Sequence, residues 1–373
     1  MNVSEMLKSR NLPPLRDRKE MLEILLKNEY GYMPDLEYEM TVSEPTNYEG
    51  RYCDGTVQHS TVNMTITTKY GSHTFPIQRV LHKDGSVNPF FVFLNFRSAV
   101  PDRYFPTEEV ADAGFDVLMI KYTDIASDNG DFSNGLPKIF MPEGQQKDTD
   151  CGKIMFWAWA AMRVLDYAAT LPMLDMSQAA VAGHSRLGKT ALLTGALDER
   201  FRYAFSNCSG CSGASLARGN TGLSYFKNWD INNPFDFTED FTTGETIRDI
   251  LKNFPFWFCK NYPKYLENNY PDDFDQHYLV ASVAPRFAYI ASASRDRWAD
   301  PVSEFLSGVA ASEAYEKMGY PGLVHQEKLP EINESFHEGR IGHHLHKSPH
   351  FLSRFDWANY MAFIRKQDRK SVV

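Results

Sequence analysis

The chain has 373 residues, 43% of them hydrophobic and 23% charged, which is ordinary for a globular protein with a large core and excludes a disordered or membrane-spanning chain. Its formal net charge is −9 and no basic run occurs, so we expect no nucleic-acid or anionic membrane partner. The five cysteines are odd in number and scattered, so no disulfide framework is expected. Cys208 and Cys211 lack the second ligand pair of a structural zinc site.

Residues 1–50 are predicted to form a helical extension that packs on a domain covering residues 51–373. Asp17 to Lys27 carries an amphipathic pattern, which a Gly-Tyr-Met-Pro turn then ends. The first 23 residues mix charged and apolar side chains and lack the continuous apolar segment of a signal peptide. If Met1 is the natural start, we expect a cytoplasmic protein; if a leader has been trimmed, we expect a secreted one.

The next segments indicate the start of an α/β fold. Residues 56–68 and 73–82 alternate apolar and polar side chains across a short turn, which predicts an antiparallel hairpin. Residues 89–96 and 115–122 are almost continuously apolar, as in parallel strands covered on both faces, and residues 107–113 predict a helix between them.

A polar loop is predicted over residues 124–150 and a helix over residues 153–170. Residues 179–193 then read as a strand, a tight polar turn and a helix. This turn fits two patterns. Gly183, Gly188, Lys189 and Thr190 match the phosphate loop of nucleotide-binding proteins, whereas Gly183-His184-Ser185 resembles the nucleophile elbow of a serine hydrolase.

The remaining segments keep the strand and helix alternation. A short strand is predicted at residues 201–206, followed by a turn-rich aromatic insertion at about 209–280 that we expect to shape the mouth of the site. The later predictions are a strand at 286–294, a helix at 302–318, a last strand at 339–346 and a closing helix at 352–365.

The order of three polar residues favours the hydrolase. An α/β hydrolase carries serine, acid and histidine in that order, each after a strand, and Ser185, Asp296 and His350 satisfy this order. The phosphate-loop alternative needs an aspartate that closes a neighbouring strand to hold Mg²⁺, but the strand after the turn ends in Asn207-Cys208. We therefore predict an α/β-hydrolase fold with a mostly parallel central sheet, helices on both faces and the N-terminal helical extension.

Several motifs carry a resemblance to a known family. The chain resembles the glucuronoyl esterases of carbohydrate esterase family 15 and their bacterial acetylxylan-esterase-like relatives. The matching motifs lie between about residues 150 and 365: Gly-His-Ser-Arg-Leu-Gly-Lys at 183–189, Asp-Glu-Arg-Phe at 198–201, Ser-Gly-Cys at 209–211, Ala-Pro-Arg at 284–286, Trp-Ala-Asp-Pro at 298–301 and Asp-Trp at 356–357.

The resemblance implies a serine esterase without cofactor or metal. Ser185 would be the nucleophile and His350 its base, through an acyl-enzyme. Arg186 would supply its backbone N–H and guanidinium to the oxyanion, and Lys189 would contact sugar hydroxyls. Trp298 either stacks on the sugar or packs its loop.

The sequence departs from the family pattern around the acid and the base. His184 replaces the cysteine common before the serine, and Cys208 stands where many members carry a glutamate that orients the histidine. The acid is therefore predicted to be Asp296, with Asp300 as second candidate.

The turn that carries His350 is also less polar than the family's, and His344 is the second candidate for the base. A metal site at His344 and His346 is possible from the pattern but is not expected.

The expected substrate is a carbohydrate ester, such as a xylan- or mannan-derived oligosaccharide, with a glucuronoyl or an acetyl group. The oligomeric state is left open. An inactive homologue that only binds carbohydrate stays an alternative.

Overall fold

A large, mostly parallel sheet forms the centre of the protein in the computed structural model, which describes residues 2–50, 52–220 and 244–370. Its strands run in the order β1-β3-β4-β6-β5-β7-β8-β9-β11-β10, and β2 pairs with β3. The strands are β1 Glu39–Val42, β2 Thr46–Asn47, β3 Val57–Thr68, β4 Gly71–His82, β5 Asn88–Asn95, β6 Asp116–Lys121, β7 Leu174–His184, β8 Tyr203–Asn207, β9 Phe287–Ala293, β10 Glu334–Phe336 and β11 Ile341–His346.

The six strands from β6 to β11 along this order are parallel, while β1 to β4 and β10 pair antiparallel at the two sides. Strands β5, β8 and β9 are buried along nearly their whole length because helices cover both faces, which explains their continuous apolar sequences. The predicted α/β-hydrolase arrangement is confirmed.

Helices divide between the two faces of the sheet. They are α1 Val3–Arg10, α2 Arg18–Leu25, α3 Thr107–Asp112, α4 Tyr122–Ile125, α5 Gly135–Phe140, α6 Lys153–Ala168, α7 Arg186–Leu197, α8 Ile247–Asn253, α9 His277–Ala281, α10 Pro301–Glu316 and α11 Arg354–Lys370. One apolar core holds side chains of α6, α7, α9 and α10, and a second core, on the other face, holds those of α3 and α11. Within the described ranges, no helix has the length and apolarity needed to cross a membrane.

The N-terminal segment packs on the rest of the chain and contains both helices and strands. Met21 and Leu25 of α2 are buried in the first core, and the Arg18 guanidinium donates to the Ser282 and Ala196 carbonyls at 2.8 and 2.7 Å. Strands β1 and β2 then extend the sheet by pairing with β3. The two strands have only four and two residues, which is too short for an alternating pattern to identify them in the sequence.

Other elements of the structure were also not predicted from the sequence. The segment predicted as a loop at 124–150 contains α5, the insertion at 209–280 contains α8 and α9, and the edge strand β10 precedes β11. Each of these elements is short, and its ordering depends on packing against the domain rather than on a periodic pattern of its own. Residues 221–243 of the insertion lie outside the described part.

Candidate active site

The turn between β7 and α7 consists of one residue, Ser185. Its backbone has φ 59° and ψ −128°, and its N–H donates to the Asn207 carbonyl at 2.8 Å. Gly183 makes the close approach of strand and helix possible, because a Cβ there would lie 2.1 Å from the Leu187 carbonyl oxygen. This strained strand-to-helix turn leaves Ser185 partly exposed at the carboxyl edge of the sheet, which is the geometry of a nucleophile elbow.

Asp296 and His350 are in direct contact. Asp296 follows β9 and His350 follows β11, two adjacent parallel strands, and His350 Nδ1 lies 2.5 Å from Asp296 Oδ2. The Asp296 carboxylate is nearly completely buried, and its other oxygen accepts from the Ala299 N–H at 3.2 Å. Since an ionised carboxylate only accepts, the contact assigns the proton to Nδ1 and leaves Nε2 as an acceptor.

His184 brings this pair next to the serine. The His184 and His350 rings lie 4.5 Å apart between centroids, and His184 directly precedes Ser185. His184 Nδ1 donates to Asn207 Oδ1 at 2.5 Å, and Asn207 Nδ2 donates to Asp356 Oδ1 at 3.0 Å. Burial, together with repulsion by a protonated His350, lowers the pKa of His184 to about 3, so this ring stays neutral. When His350 is protonated, the neighbouring His184 ring is therefore neutral and does not repel it.

The two second candidates are engaged in other contacts. Asp300 caps α10, where its two carboxylate oxygens accept from the Ser303 N–H at 3.0 Å and the Ser303 hydroxyl at 2.6 Å. His344 is fully buried; its Nε2 lies 2.8 Å from Asp356 Oδ1 and its Nδ1 lies 2.9 Å from the Tyr289 hydroxyl. These contacts favour Asp296 over Asp300 as the acid and His350 over His344 as the base.

Among the residues that the structure describes, two clusters have ligand types suited to a metal. In the first, His344 and His346 surround Asp356, whose Oδ2 accepts from the Ser353 N–H and hydroxyl at 2.6 and 2.8 Å. Asp356 is thus already fully hydrogen-bonded by protein donors. In the second, ligand atoms of Cys208, Asp296 and His350 lie within 4.8 Å of one another. Burial raises the pKa of the Cys208 thiol well above its ordinary value.

Arg186 is held by partners that the sequence did not indicate. Its Nη1 donates to Asp128, which also accepts from Trp257 Nε1 at 2.7 Å and from the Tyr122 hydroxyl at 2.8 Å. The guanidinium carbon lies 4.7 Å from the Trp257 ring centroid and 5.1 Å from that of Phe254. These contacts restrict the guanidinium next to the serine, and two of the three partners named, Trp257 and Phe254, come from the aromatic insertion. In the sequence, only the high aromatic content of the insertion pointed to such partners.

Lys189, which the resemblance places in contact with sugar hydroxyls, is buried in the structure. It is 4% exposed, and its Nζ donates to the carbonyls of Ser209 and Cys211. The lysine therefore ties the elbow helix to the loop after β8. An amine held in this way is not available to nucleotide phosphates, so the phosphate-loop alternative has no support.

Glu245 and Trp298 lie together near the same site. The Glu245 N–H donates to the Trp298 carbonyl at 3.0 Å, and the Trp298 side chain is 40% exposed. Burial raises the pKa of Glu245 to about 7, against the opposing attraction of Lys189 and His350. Glu245 Oε1 is buried and has no hydrogen-bond partner among the described residues. No motif in the sequence singled out Glu245, because it reaches the site only through the folded insertion.

Comparisons with known proteins agree with this geometry. A carbohydrate esterase named MZ0003, from an unknown prokaryotic organism, is 36% identical over 69% of this chain and 54% of its own length. The 4-O-methyl-glucuronoyl methylesterase of Podospora anserina is 24% identical over 81% of this chain and 56% of its own. The chain thus spans about half the length of the curated relatives it matches.

Solved structures extend the likeness to the fold. A promiscuous CE15 esterase from a marine bacterial metagenome superposes with a TM-score of 0.79 and 29% identity, covering 93% of this chain and 90% of its own. A glucuronoyl esterase from Solibacter usitatus gives 0.78 and 26%, covering 94% and 92%. A family model for fungal glucuronyl esterases matches residues 64–319. With its serine on a strained elbow and its histidine on a buried aspartate, the chain belongs to the glucuronoyl esterase family.

Proposed function

We propose that this protein is a serine esterase that hydrolyses carbohydrate esters, with Ser185 as nucleophile, His350 as base and Asp296 as the acid that orients the base. The contact of 2.5 Å between His350 and Asp296 beside the Ser185 elbow carries the proposal. It joins residues 54 positions apart in the sequence and assigns a basic Nε2 to the histidine.

The reaction follows from this proton placement. His350 Nε2 takes the proton of the Ser185 hydroxyl while Oγ attacks the ester carbonyl carbon. The same proton then passes to the leaving alcohol, which leaves Ser185 acylated, and water repeats the two steps to release the acid. Asp296 stabilises the imidazolium that forms in each step.

Arg186 stabilises the oxyanion in this scheme. It is the first residue of α7, so its backbone N–H belongs to the four that have no acceptor within the helix. The guanidinium adds a positive charge whose position Asp128 and Trp257 restrict. Donors that are oriented before the reaction lower the barrier because they need no reorganisation.

A glucuronoyl ester is the proposed substrate, carried by a xylan- or mannan-derived oligosaccharide. Several relatives bear the name 4-O-methyl-glucuronoyl methylesterase. The exposed Trp298 ring offers an apolar face to a sugar. Lys189 acts indirectly in this proposal: its amine donates to the carbonyls of Ser209 and Cys211 and so fixes the loop after β8 to α7.

The test compares a benzyl glucuronoyl ester with 4-nitrophenyl acetate, using wild-type protein, Ser185→Ala and the exposed-site control Ser72→Ala. We expect wild-type turnover with a higher kcat/KM on the glucuronoyl ester, a loss of at least about 10⁴-fold in Ser185→Ala, and no change in the control. Preference for the acetyl ester would assign the acetyl substrate instead. A folded Ser185→Ala variant that keeps most of its activity would overturn the assignment, and saturable binding without turnover of either ester would identify a carbohydrate-binding homologue.

A further inference from the structure

Three adjacent parallel strands each begin directly after an arginine. Arg202 precedes β8, Arg286 precedes β9 and Arg340 precedes β11, and these strands are neighbours in the sheet. Parallel neighbours start at the same edge, so the three side chains meet at the amino edge of the sheet. Ser185 lies at the opposite, carboxyl edge, and the arginine cluster is therefore separate from the proposed esterase site.

The three arginines line one cavity of about 410 Å³. Phe287 forms part of its wall, with the guanidinium carbons of Arg202 and Arg340 at 5.4 and 5.2 Å from its ring centroid. Among the described residues that line the cavity, Glu338 is the one acid, and it is paired with Lys366. Positive charge therefore exceeds negative charge in this cavity, although the chain as a whole is acidic.

Hydrogen-bond donors at this edge are incompletely used. Arg286 Nη1 donates to the Phe201 carbonyl at 2.7 Å, whereas Arg286 Nη2 is buried and has no hydrogen-bond partner among the described residues. The Tyr315 hydroxyl is likewise buried and unpartnered within that part of the chain, and it interacts electrostatically with Arg286 and Arg340. Burial and the nearby Arg18 lower the pKa of Arg286, against the opposing attraction of Tyr315, Glu199 and Asp198.

A buried donor without a hydrogen-bond partner lowers the stability of the folded protein. A ligand with several acceptor oxygens would supply the missing partner. Guanidinium groups match phosphate and sulfate geometry because two parallel N–H groups can bind two oxygens. We propose that this cavity is a binding site for a phosphate or sulfate group, recognised by Arg286 and Arg340. The group is either a free inorganic ion or a substituent on a sugar.

Calorimetric titration at constant ionic strength tests the site, with inorganic phosphate, inorganic sulfate, glucose 6-phosphate and, as the comparison ion, chloride. We expect saturable binding of one equivalent of phosphate or sulfate to the wild-type protein and none of chloride. Arg340→Gln should weaken this binding at least tenfold, while Arg16→Gln, which removes an exposed arginine paired with Glu20, should change it less than twofold. Tighter binding of glucose 6-phosphate than of inorganic phosphate would identify the sugar-borne group, and the reverse would identify the free ion.

Absence of saturable phosphate or sulfate binding would overturn the proposal, as would equal weakening by Arg340→Gln and Arg16→Gln. If the glutamine variant does not fold, Arg340→Lys serves in its place, because it keeps the charge and loses the planar pair of donors; unchanged affinity would then refute recognition by the guanidinium. Loss of anion binding in Ser185→Ala would also refute it, because the anion would then occupy the other edge of the sheet.

Discussion

Replacing Asp296 by Asn should remove most of the turnover while leaving the site filled. In the wild type one carboxylate oxygen accepts from His350 Nδ1 at 2.5 Å and the other from the Ala299 N–H at 3.2 Å. An asparagine has one acceptor, which the Ala299 N–H holds, so its amide NH₂ faces His350. The imidazole must then present a lone pair at Nδ1 and carry its proton on Nε2, where it can no longer accept the serine proton.

The expected loss in kcat is about 10⁴-fold, the size found when a triad aspartate is replaced in this way, and it corresponds to about 5.5 kcal/mol of the activation barrier. KM should change little, because Asp296 is buried behind the histidine and does not reach the substrate space. Steady-state kinetics on the glucuronoyl ester, with circular dichroism to verify folding, measures both quantities.

Asp300→Asn is the matched control. Asp300 lies four residues further on and is equally buried, but its oxygens bind Ser303 at the start of α10. We expect it to change the unfolding free energy by less than about 1 kcal/mol, because Asn caps a helix about as well as Asp, and to leave kcat within about threefold. If Asp296→Asn keeps more than about a tenth of the wild-type kcat, or Asp300→Asn loses as much, the tautomer argument is wrong.

Two further predictions concern stability. Burial raises the pKa of Glu304 from 4.5 to about 8, so between these values the folded protein holds a proton that the unfolded chain releases, and wild-type stability falls as pH rises, by up to about 1.4 kcal/mol per pH unit. In urea unfolding from pH 5 to 8, the unfolding free energy of Glu304→Gln should therefore rise relative to that of the wild type. A difference between the two proteins that does not depend on pH would contradict this. Gly183→Ala should lower the unfolding free energy by about 3 kcal/mol or more, because its Cβ would lie 2.1 Å from a backbone carbonyl oxygen. Gly130→Ala, with no atom within 4 Å of the new Cβ, should be nearly neutral, and similar losses in both variants would refute the steric argument.

The core strands could be predicted because their environment is simple. Strands buried on both faces must be apolar along their whole length, and β5, β6 and β9 carry that signature. The edge strands β1 and β10 carry no such signature, since they are short and at most half-buried. The helices α8 and α9 of the insertion also escaped prediction, because each is too short to show a sustained periodic pattern.

The candidate site divides in a similar way. The motif around Ser185 and the chain order of serine, acid and histidine are local properties, and they were sufficient to name Ser185, Asp296 and His350. The position of the Lys189 amine was not predictable, because the carbonyls it binds belong to a loop that meets α7 only after β8 has joined the sheet. The aromatic partners of Arg186 and the buried Glu245 carboxylate depend likewise on how the insertion folds back.

The sequence by itself therefore determined the class of fold, the elbow and the three residues proposed for the reaction, because apolar runs, glycine spacing and residue order are readable along the chain. Only the tertiary structure showed that Asp300 and His344 are engaged in other contacts, and only it brought Arg202, Arg286 and Arg340 to one cavity. The physical reason is that a hydrogen bond or a shared charge depends on distances of a few ångströms. Such distances between residues far apart in the chain exist only once the sheet has placed its strand ends side by side.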